Sequence, residues 1–530
     1  MLAWTIYISF IGAALMPLLP RDRPGPSRKL ALATSLAGFG IALAAAAGAH
    51  GGRMLTITRV PWVPALGMEY HLGADGISLV LTLLTGLASV AGVLFSWNIE
   101  NRTREFFAFY LTLIGGVYGV FLSFDLMLLF VFYELAIVPK YFLIAIWGST
   151  RREYGAMKLA LYSFIGSAMV LAGIIAAIVV AGAKTTDLIE LSKFPFPLDL
   201  QMWAFPLVFL GFAILAGLWP LHTWAPTGHV AAPTAASMLL AGVVMKLGAY
   251  GCLRVAMTLF PHGLDAWAFP PELAARSTIQ NIQWVLHFLG FGSWQDVFGV
   301  LAVIGIVYGA TIALVQRDFK FVIGYSSVSH MGFVLLGLIT LNTIGMSGAV
   351  LQMFSHGVIA SLLFAVVGRM VYDRTHTRDL NQLGPMNLCR LIPFAAVAFI
   401  IAGMASMGLP GFSGFIAELQ VLIGTWRMSP TLAVITGMGI IVGIAFTIRA
   451  LLRAFFADAG TASVETVSPT SGLASAAPAV SAITIPERLG AALLIAATLA
   501  VGIYPRLLLH LIGPSFDAPI FSALRKAGGW

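Results

Sequence analysis

The sequence has little charge and almost no cysteine. Its 530 residues are 59% hydrophobic and only 10% charged, whereas a soluble domain carries about 25% charged residues. The two cysteines, Cys252 and Cys389, form no CxxC pair and no cluster with histidine, which speaks against a disulfide framework and against iron–sulfur ligation. The composition therefore excludes a soluble globular protein, and we expect no redox centre, cofactor or metal in this chain.

A concentrated basic surface is also missing. The formal net charge is +8, but the Lys and Arg residues are scattered between apolar runs rather than gathered in a patch or tail. We therefore expect no nucleic-acid partner. The first apolar run, residues 2–19, lacks a basic leading segment and a small-residue cleavage site, so it predicts a spanning helix rather than a signal peptide.

Long apolar runs are what the sequence has in abundance, with a mean hydropathy of +0.93. About 20 apolar residues cross the hydrocarbon layer as a helix. The sequence therefore predicts an all-α polytopic membrane protein with about fourteen transmembrane helices, near residues 2–20, 29–48, 76–97, 106–122, 124–147, 156–182, 203–223, 233–259, 297–316, 319–341, 344–371, 392–426, 430–456 and 487–511.

Loop charges predict the orientation in the membrane. Most loop Lys and Arg residues lie in alternate loops, near residues 21–29, 102–104, 151–152, 317–320 and 374–378. Because short loops rich in Lys and Arg stay in the cytoplasm, this pattern places both termini outside it. The longer connections at residues 49–75 and 261–296 are then predicted to cover the outer surface.

Two of the predicted helices are interrupted. Residues 218–251 contain Pro220, Pro226 and Pro233, and residues 403–420 read GMASMGLPGFSGFIAELQ. Proline removes a backbone donor, and a broken helix survives at bilayer depth only where protein or water satisfies the freed carbonyls. Paired interruptions in two halves of a chain are typical of inverted-repeat transporters. The sequence therefore predicts two inverted five-helix repeats, each with a broken helix.

This interpretation divides the chain into five parts. Residues 1–105 hold three N-terminal transmembrane helices, 106–260 the first five-helix repeat and 297–456 the second. Residues 457–486 are rich in Ala, Ser, Thr and Pro, which predicts a flexible linker. Residues 487–530 complete the chain with a C-terminal transmembrane helix and a tail.

Ionisable side chains inside the apolar segments are the candidate functional residues. A charge at the bilayer centre costs about 3 kcal/mol even on the most lenient scales, so such residues normally face a bundle interior and mark ion paths. His330 and His356 are accompanied by serines and by Gln352, a set that can carry a hydrogen-bonded water chain. The candidates for proton transfer are Glu134, His222, Lys246, His330, His356 and Glu418; the accompanying serines are Ser326, Ser327 and Ser329.

Other polar residues have structural explanations that compete with a functional one. Lys140 lies six residues after Glu134, which is 240° around a helix, so it can equally be a structural or interface charge. His229 can serve simply as a donor to broken-helix carbonyls. Asp75 is expected to cap the third helix, because Asp is a favoured N-cap residue.

These motifs resemble the antiporter-like subunits of respiratory complex I, in particular the subunit M family of bacterial NADH-quinone oxidoreductases, which is related to Mrp antiporter subunits. The resemblance runs over nearly the whole chain. The matching stretches are GADGISL at 73–79, FYELAIVPKYFLIAIWG at 132–148, PLHTW and APTAASMLLAGVVMKLGAYG within 220–251, DFKFVIGYSSVSHMGFVLLG at 318–337, HTRDL at 376–380 and MGLPGFSGFIAELQ at 407–420.

The resemblance implies a subunit in the bacterial inner membrane that pumps protons, driven by quinone reduction elsewhere in the complex. It implies no cofactor in this chain and antiporter-like neighbours on both sides within the lipid bilayer. By position, Glu134 matches the carboxylate of the fifth helix and Lys246 the bridging lysine of the eighth. His330 and His356 match the central histidines, and Glu418 matches an acidic residue that faces the next subunit.

The sequence departs from the family pattern at one position. The family has a lysine seven residues before the histidine of PLHTW, where this sequence has Leu215. Glu134 therefore lacks the partner that the resemblance implies, and His222, two helical turns on, is a possible substitute. Two alternative functions stay open: an Mrp-type Na⁺/H⁺ antiporter subunit, and a structural subunit that no longer pumps.

Overall fold

Apolar helices account for most of the chain in the computed structural model, which describes residues 1–49, 54–264, 291–456 and 481–529. The predicted linker therefore lies largely outside the described residues. In the described ranges, twelve helices are long and apolar enough to cross a membrane: Pro24–Ala47, Gly76–Phe95, Thr103–Leu122, Leu126–Trp147, Arg152–Val180, Leu198–Ala216, Thr234–Met257, Trp294–Val315, Phe319–Ile339, Thr343–Thr375, Pro430–Phe456 and Ile485–Ile503. The protein is an all-α multi-pass membrane protein.

The two other predicted spans are shorter or broken helices. Residues 2–20 form the helix Ala3–Leu15, extended by a 3₁₀ turn at Met16–Leu18. The span predicted at 392–426 consists of Pro393–Ser406 and Ser413–Met428, separated by the expected break.

The end of the chain differs from the prediction of one helix over residues 487–511. The helix Ile485–Ile503 stops early, because the residue before a proline disfavours helical backbone angles and Tyr504 precedes Pro505. A new helix, Arg506–Ser515, follows, and a second bend of 64° leads to the last segment.

Short elements connect the spans. They are the helices Leu188–Leu191, Trp224–Ala231, Leu380–Leu383 and Leu388–Leu391, with 3₁₀ turns at Pro64–Leu66, Pro261–Gly263 and Gly384–Met386. Asp373–Thr375 ends the span Thr343–Thr375, and the 3₁₀ turn Pro519–Phe521 leads to the last helix, Ser522–Gly528. In the part of the chain that the structure describes, π-helical stretches interrupt or extend spanning helices at Leu240–Val244, Cys252–Met257, Ala365–Tyr372 and Leu452–Phe456.

A β-hairpin, absent from the sequence-based prediction, occupies the connection before the third helix. Strands Leu55–Val63 and Met68–Ala74 pair antiparallel. Gly67, with φ of +66°, makes the turn, a backbone conformation that favours glycine. The Phe124 backbone N–H donates to the carbonyl of His71 at 2.9 Å, so the hairpin is fixed to the start of helix Leu126–Trp147.

The core lies along three helices at the centre of the bundle. Thr234–Met257 and Thr343–Thr375 are buried along their apolar windows, and Gly76–Phe95 nearly so, whereas in Pro24–Ala47 and Pro430–Phe456 most residues are half-buried or exposed. Polar groups on the central helices are therefore shielded from lipid by other helices.

Two matching backbone bridges support the predicted repeats. Asp125 bridges to Asp187, and Asp318 bridges to Asp379, and each of the four aspartates caps the helix that follows it. The first bridge lies at the start of helix Leu126–Trp147. The second lies near its other end, where Arg378 Nη2 is 3.4 Å from Thr150 Oγ1. This arrangement suits inverted repeats; the repeats and the predicted domain boundaries remain proposals.

Candidate functional site

Lys246 lies at the centre of the bundle and is fully buried. Its helical turn, Met245–Gly251, directly follows the π-helical stretch Leu240–Val244. Such stretches disturb the regular backbone hydrogen bonds and are frequent at functional sites. The Lys246 ammonium donates to the carbonyl of Ala241 at 2.5 Å and to Nδ1 of His356 at 2.8 Å. The lysine is therefore held by one backbone group and one titratable group.

His330 lies next to His356, on the neighbouring helix. The two ring centroids are 5.4 Å apart and the planes are tilted by 30°. His330 Nδ1 is 3.2 Å from Oε1 of Glu418, and its Nε2 is 3.1 Å from Oγ of Ser406. Gln352 Nε2 lies 3.3 Å from the same Glu418 oxygen. The two histidines thus connect the central lysine to a carboxylate.

The second helix break places Glu418. Gly408 and Gly411 adopt φ of +67° and +94°, and the helix resumes at Ser413. A Cβ on Gly408 would lie only 2.7 Å from Glu418 Oε2, so a larger residue there would displace the carboxylate. A cavity of about 10 Å³ borders His330 and Glu418, which is room for roughly one water molecule.

Lys246, His356, His330 and Glu418 form one row across four helices, which we call the central row. Of the serines expected beside the histidines, Ser329 lines the cavity next to His330 and Glu418. Ser327 and Ser329 also donate to the backbone carbonyls of Ile323 and Ile306, at 3.1 and 2.9 Å. Gln352 lies beside the row, as expected, together with Ser406, which the sequence prediction missed.

Glu134 and Lys140 form a second group, on the helix Leu126–Trp147. Glu134 is half-buried, and its Oε1 makes no hydrogen bond with the described residues. It lies close to Ser167 and within electrostatic range of Lys140. Lys140 is only 1% exposed. The cation beside Glu134 is therefore Lys140, whereas the sequence analysis considered His222.

The first break holds His222 and His229. Gly217, with φ of +86°, ends the helix Leu198–Ala216, and Trp224–Ala231 follows. His222 contacts the ring of Tyr308 at a centroid distance of 5.2 Å, and its charged neighbour is Lys158. His229 is buried and lies within electrostatic range of Lys246. His229 is thus electrostatically linked to the central row.

The apolar side chain of Phe212 lies between the helices that carry the two polar groups. Phe212 contacts the ring of Tyr133, next to Glu134, at a centroid distance of 5.5 Å. It also packs closely against Gly251, on the helix of Lys246. Within residues 1–49, 54–264, 291–456 and 481–529, no hydrogen bond joins the Glu134 group to the central row.

Asp75 caps the third helix, as expected. Its Oδ1 accepts from the backbone N–H of Ser78 at 2.9 Å. The prediction missed its other partner, the fully buried Arg254, whose Nη2 donates to Asp75 Oδ2 at 2.5 Å. The Arg254 guanidinium also lies over the rings of three aromatic residues, Phe124, Tyr250 and Phe521.

A cluster of acidic residues and a histidine on the hairpin side was also missed. Carboxylate oxygens of Glu69 and Asp187 lie within 4.8 Å of a His71 ring nitrogen, a ligand set that could suit a metal ion. Arg59 already pairs with Glu69 at 2.5 Å and lies 3.9 Å from Asp187. The cluster is thus a network of ion pairs that fixes the hairpin, and it carries no metal proposal.

Comparison with known proteins decides the family. Residues 123–279 and 273–443 match the family model described as NADH:quinone oxidoreductase/Mrp antiporter, transmembrane. The chain belongs to this family. NADH-quinone oxidoreductase subunit M of Rhodobacter capsulatus is 34% identical over 96% of this chain and 94% of its own length. An NAD(P)H-quinone oxidoreductase chain 4 of Microcystis aeruginosa is 33% identical over 88% of this chain and 80% of its own.

Solved structures of the NADH:quinone oxidoreductase/Mrp antiporter family agree with this fold. A chain of respiratory complex I from Thermus thermophilus matches 98% of this chain and 100% of its own, with a TM-score of 0.81 and 26% identity. A chain of the Mrp complex from a Dietzia species matches with a TM-score of 0.80, covering 99% of this chain and 98% of its own, but only 20% identity, which shows the shared fold. The recognition made from the sequence motifs is confirmed, whereas the roles of individual site residues stay predictions.

Proposed function

We propose that this chain is a proton-translocating membrane subunit of a complex I-type NADH:quinone oxidoreductase. Quinone reduction elsewhere in the complex would drive protons through it, and this chain would hold no redox cofactor of its own. The central row carries the proposal, because it is a series of titratable groups across four packed helices, and the span that carries Glu418 is broken. The curated relatives, named as subunits of NADH-quinone or NAD(P)H-quinone oxidoreductases, support the same enzyme context.

Proton transfer along the central row follows from its contacts. The Lys246 ammonium already donates to His356 Nδ1, so moving that proton across leaves a neutral amine and an imidazolium. His356 Nε2 has no hydrogen-bond partner among the described residues, so a water or a ring movement must complete the step to His330. His330 then passes a proton to the Glu418 carboxylate, which it faces at 3.2 Å.

The neighbours in the complex are part of this proposal. Glu418 lies in the helix Ser413–Met428, which exposes three large apolar side chains, Leu419, Ile423 and Trp426. We assign such exposed faces to antiporter-like membrane subunits on either side and to lipid. The location is then the bacterial inner membrane, with both termini outside the cytoplasm.

The test replaces Lys246 by methionine, which keeps the side-chain length and removes the proton carrier. We expect the complex to assemble, while NADH-driven proton uptake into inside-out membrane vesicles falls more than quinone reduction, so that fewer protons are taken up per quinone reduced. Lys29→Met, which removes an exposed lysine, is the control and should leave both rates unchanged. Normal proton uptake by a fully assembled Lys246→Met complex contradicts the proposal.

An Mrp-type antiporter subunit is the second candidate, since the Mrp chain shares the fold. Identifying the chains that co-purify with this protein distinguishes the oxidoreductase subunit from the antiporter subunit, because an oxidoreductase contains flavin and iron–sulfur subunits and an antiporter does not. A structural subunit that does not pump is the third candidate. It is favoured by the apolar Leu215, which is buried where the resemblance implies a cation.

A further inference from the structure

Lys140 is buried on the inner side of its helix. Three residues of the same helix, Leu135, Val138 and Phe142, are exposed and mark the lipid side. Lys140 is only 1% exposed, so its ammonium does not reach the surface beside them. A lysine that merely extends towards the membrane surface would lie near a helix end with its charged group in water. Lys140 therefore points into the protein.

The ammonium of Lys140 has no hydrogen-bond partner in the part of the chain that the structure describes. Buried polar groups are normally hydrogen-bonded, and an exception calls for a specific explanation. The acidic group that acts on it electrostatically is Glu134. Glu134 has a matching deficiency, because its buried Oε1 also makes no hydrogen bond with the described residues. Each of the two groups thus lacks a partner that the other could supply.

The two side chains interact without forming a closed ion pair, since no nitrogen–oxygen distance between them is 4.0 Å or less. They are six residues apart, about 9 Å along a helix. Pro139 lies between them and removes the backbone N–H that would bond to the carbonyl of Leu135. The carbonyl of Leu135 is thereby left without its usual helical donor.

The adjacent helix supplies no cation. Helix Leu198–Ala216 packs on the helix that bears Ser167, so closely that a Cβ on Gly166 would lie 2.5 Å from the carbonyl oxygen of Gly211. The position on this helix where a lysine could be expected is occupied by the buried Leu215. Glu134 therefore depends on its own helix for a positive neighbour.

We propose that Lys140 is the proton-exchange partner of Glu134 and takes the place of the lysine absent at Leu215. This inference rests on the proposed function and adds a residue to it. In the exchange, the Lys140 ammonium loses one proton, and the Glu134 carboxylate gains it through one bridging water molecule. The products are a neutral amine and a neutral carboxylic acid, and no other bond changes.

The experiment uses the assembled complex in inside-out vesicles and measures protons taken up per quinone reduced. Lys140→Met is expected to lower this ratio as much as Lys246→Met does. Lys140→Arg is the decisive variant, because arginine keeps the positive charge but does not release its proton. We expect the Lys140→Arg complex to assemble and to take up as few protons per quinone as Lys140→Met. A wild-type ratio in Lys140→Arg would mean that Lys140 is only a structural charge, and it would overturn the proposal.

A relocation variant completes the test. The double variant Lys140→Met with Leu215→Lys places a lysine on the neighbouring helix instead. It should restore part of the proton uptake per quinone that Lys140→Met loses. Lys193→Met, which removes an exposed lysine, is the control and should behave as wild type. If Lys246→Met abolishes pumping while Lys140→Met and Lys140→Arg pump normally, this inference fails and the proposed function stands. If Lys246→Met itself pumps normally, the proposed function fails first.

Discussion

The buried lysine and arginine side chains differ mainly in the groups that lie next to their charged ends. Lys246 has a histidine and a carbonyl, Lys140 has a distant carboxylate, and Arg254 has a carboxylate in direct contact. An arginine does not lose its proton in proteins, so Arg254 fixes structure. The lysines, which can lose theirs, are suited to transfer. Residue type and partner together separate structural from transporting charges.

The Asp75–Arg254 pair gives a prediction about stability. Arg254→Leu leaves the Asp75 carboxylate buried without its partner, and breaking a buried pair in this way costs about 3–5 kcal/mol. We expect the free energy of unfolding of the detergent-solubilised protein to fall by this amount. The double variant Asp75→Asn with Arg254→Leu removes the unpaired charge and should be less destabilised than Arg254→Leu alone. Equal losses in both variants would contradict the argument.

The Asp187 carboxyl, on the hairpin side, gives a prediction about pH. Burial opposes its ionisation, but hydrogen bonds from His71 and the Glu190 backbone and the charge of Arg59 hold the pKa of Asp187 below its ordinary value of 3.8. A lowered carboxyl pKa stabilises the folded state above that value, and the stabilisation is lost as the pH falls through the folded-state pKa. The hairpin should therefore keep its packing from pH 7 down to about pH 4 and loosen below.

Pepsin cleavage of the hairpin between pH 5 and pH 2 measures this loosening. We expect the wild-type hairpin to become cleavable only at the acid end of the range. Asp187→Asn, which lacks the charge at every pH, should be cleaved already at pH 5. A hairpin equally resistant in both proteins at pH 5 would show that the Asp187 charge does not hold it.

Among the elements, the two broken helices carry the greatest functional consequence. Each break contains glycine with positive φ: Gly217 in the first break, and Gly408 and Gly411 in the second. Such angles cost roughly 1–2 kcal/mol for other residues. The breaks are thus encoded by specific glycines, and only Gly408 also touches an ionisable side chain.

Gly408→Ala should disturb proton transfer through Glu418. The new Cβ would lie 2.7 Å from Glu418 Oε2 and push the carboxylate from His330. We expect less proton uptake per quinone in an assembled complex. Gly411→Ala is the matched control, since its φ is similarly strained but its Cβ would meet open space. It should lower stability and leave the ratio unchanged, and equal loss in both variants would point to backbone strain alone.

For the molecule as a whole, hydropathy predicted the helices well, because a spanning helix must be apolar over its full length. The hairpin was missed since strand Leu55–Val63 is mostly exposed, strand Met68–Ala74 runs from half-buried to buried, and neither shows an apolar alternation. The role of the serines near His330 stays a prediction, because a helical serine can also donate to the carbonyl four residues earlier, as Ser327 does to Ile323. Lys140 was ambiguous because helical geometry alone does not show where a flexible lysine points.

The apolar side chain of Phe212 affects the electrostatic interaction between the two groups of ionisable residues. Its side chain lies between the helix of Glu134 and Lys140 and the helix of Lys246, which belongs to the central row. Charges separated by apolar side chains act on each other through a medium of low dielectric constant, where their interaction is stronger than in water. Adding a proton to one group therefore changes the proton affinity of the other, so the two groups can be coupled before any proton moves between them.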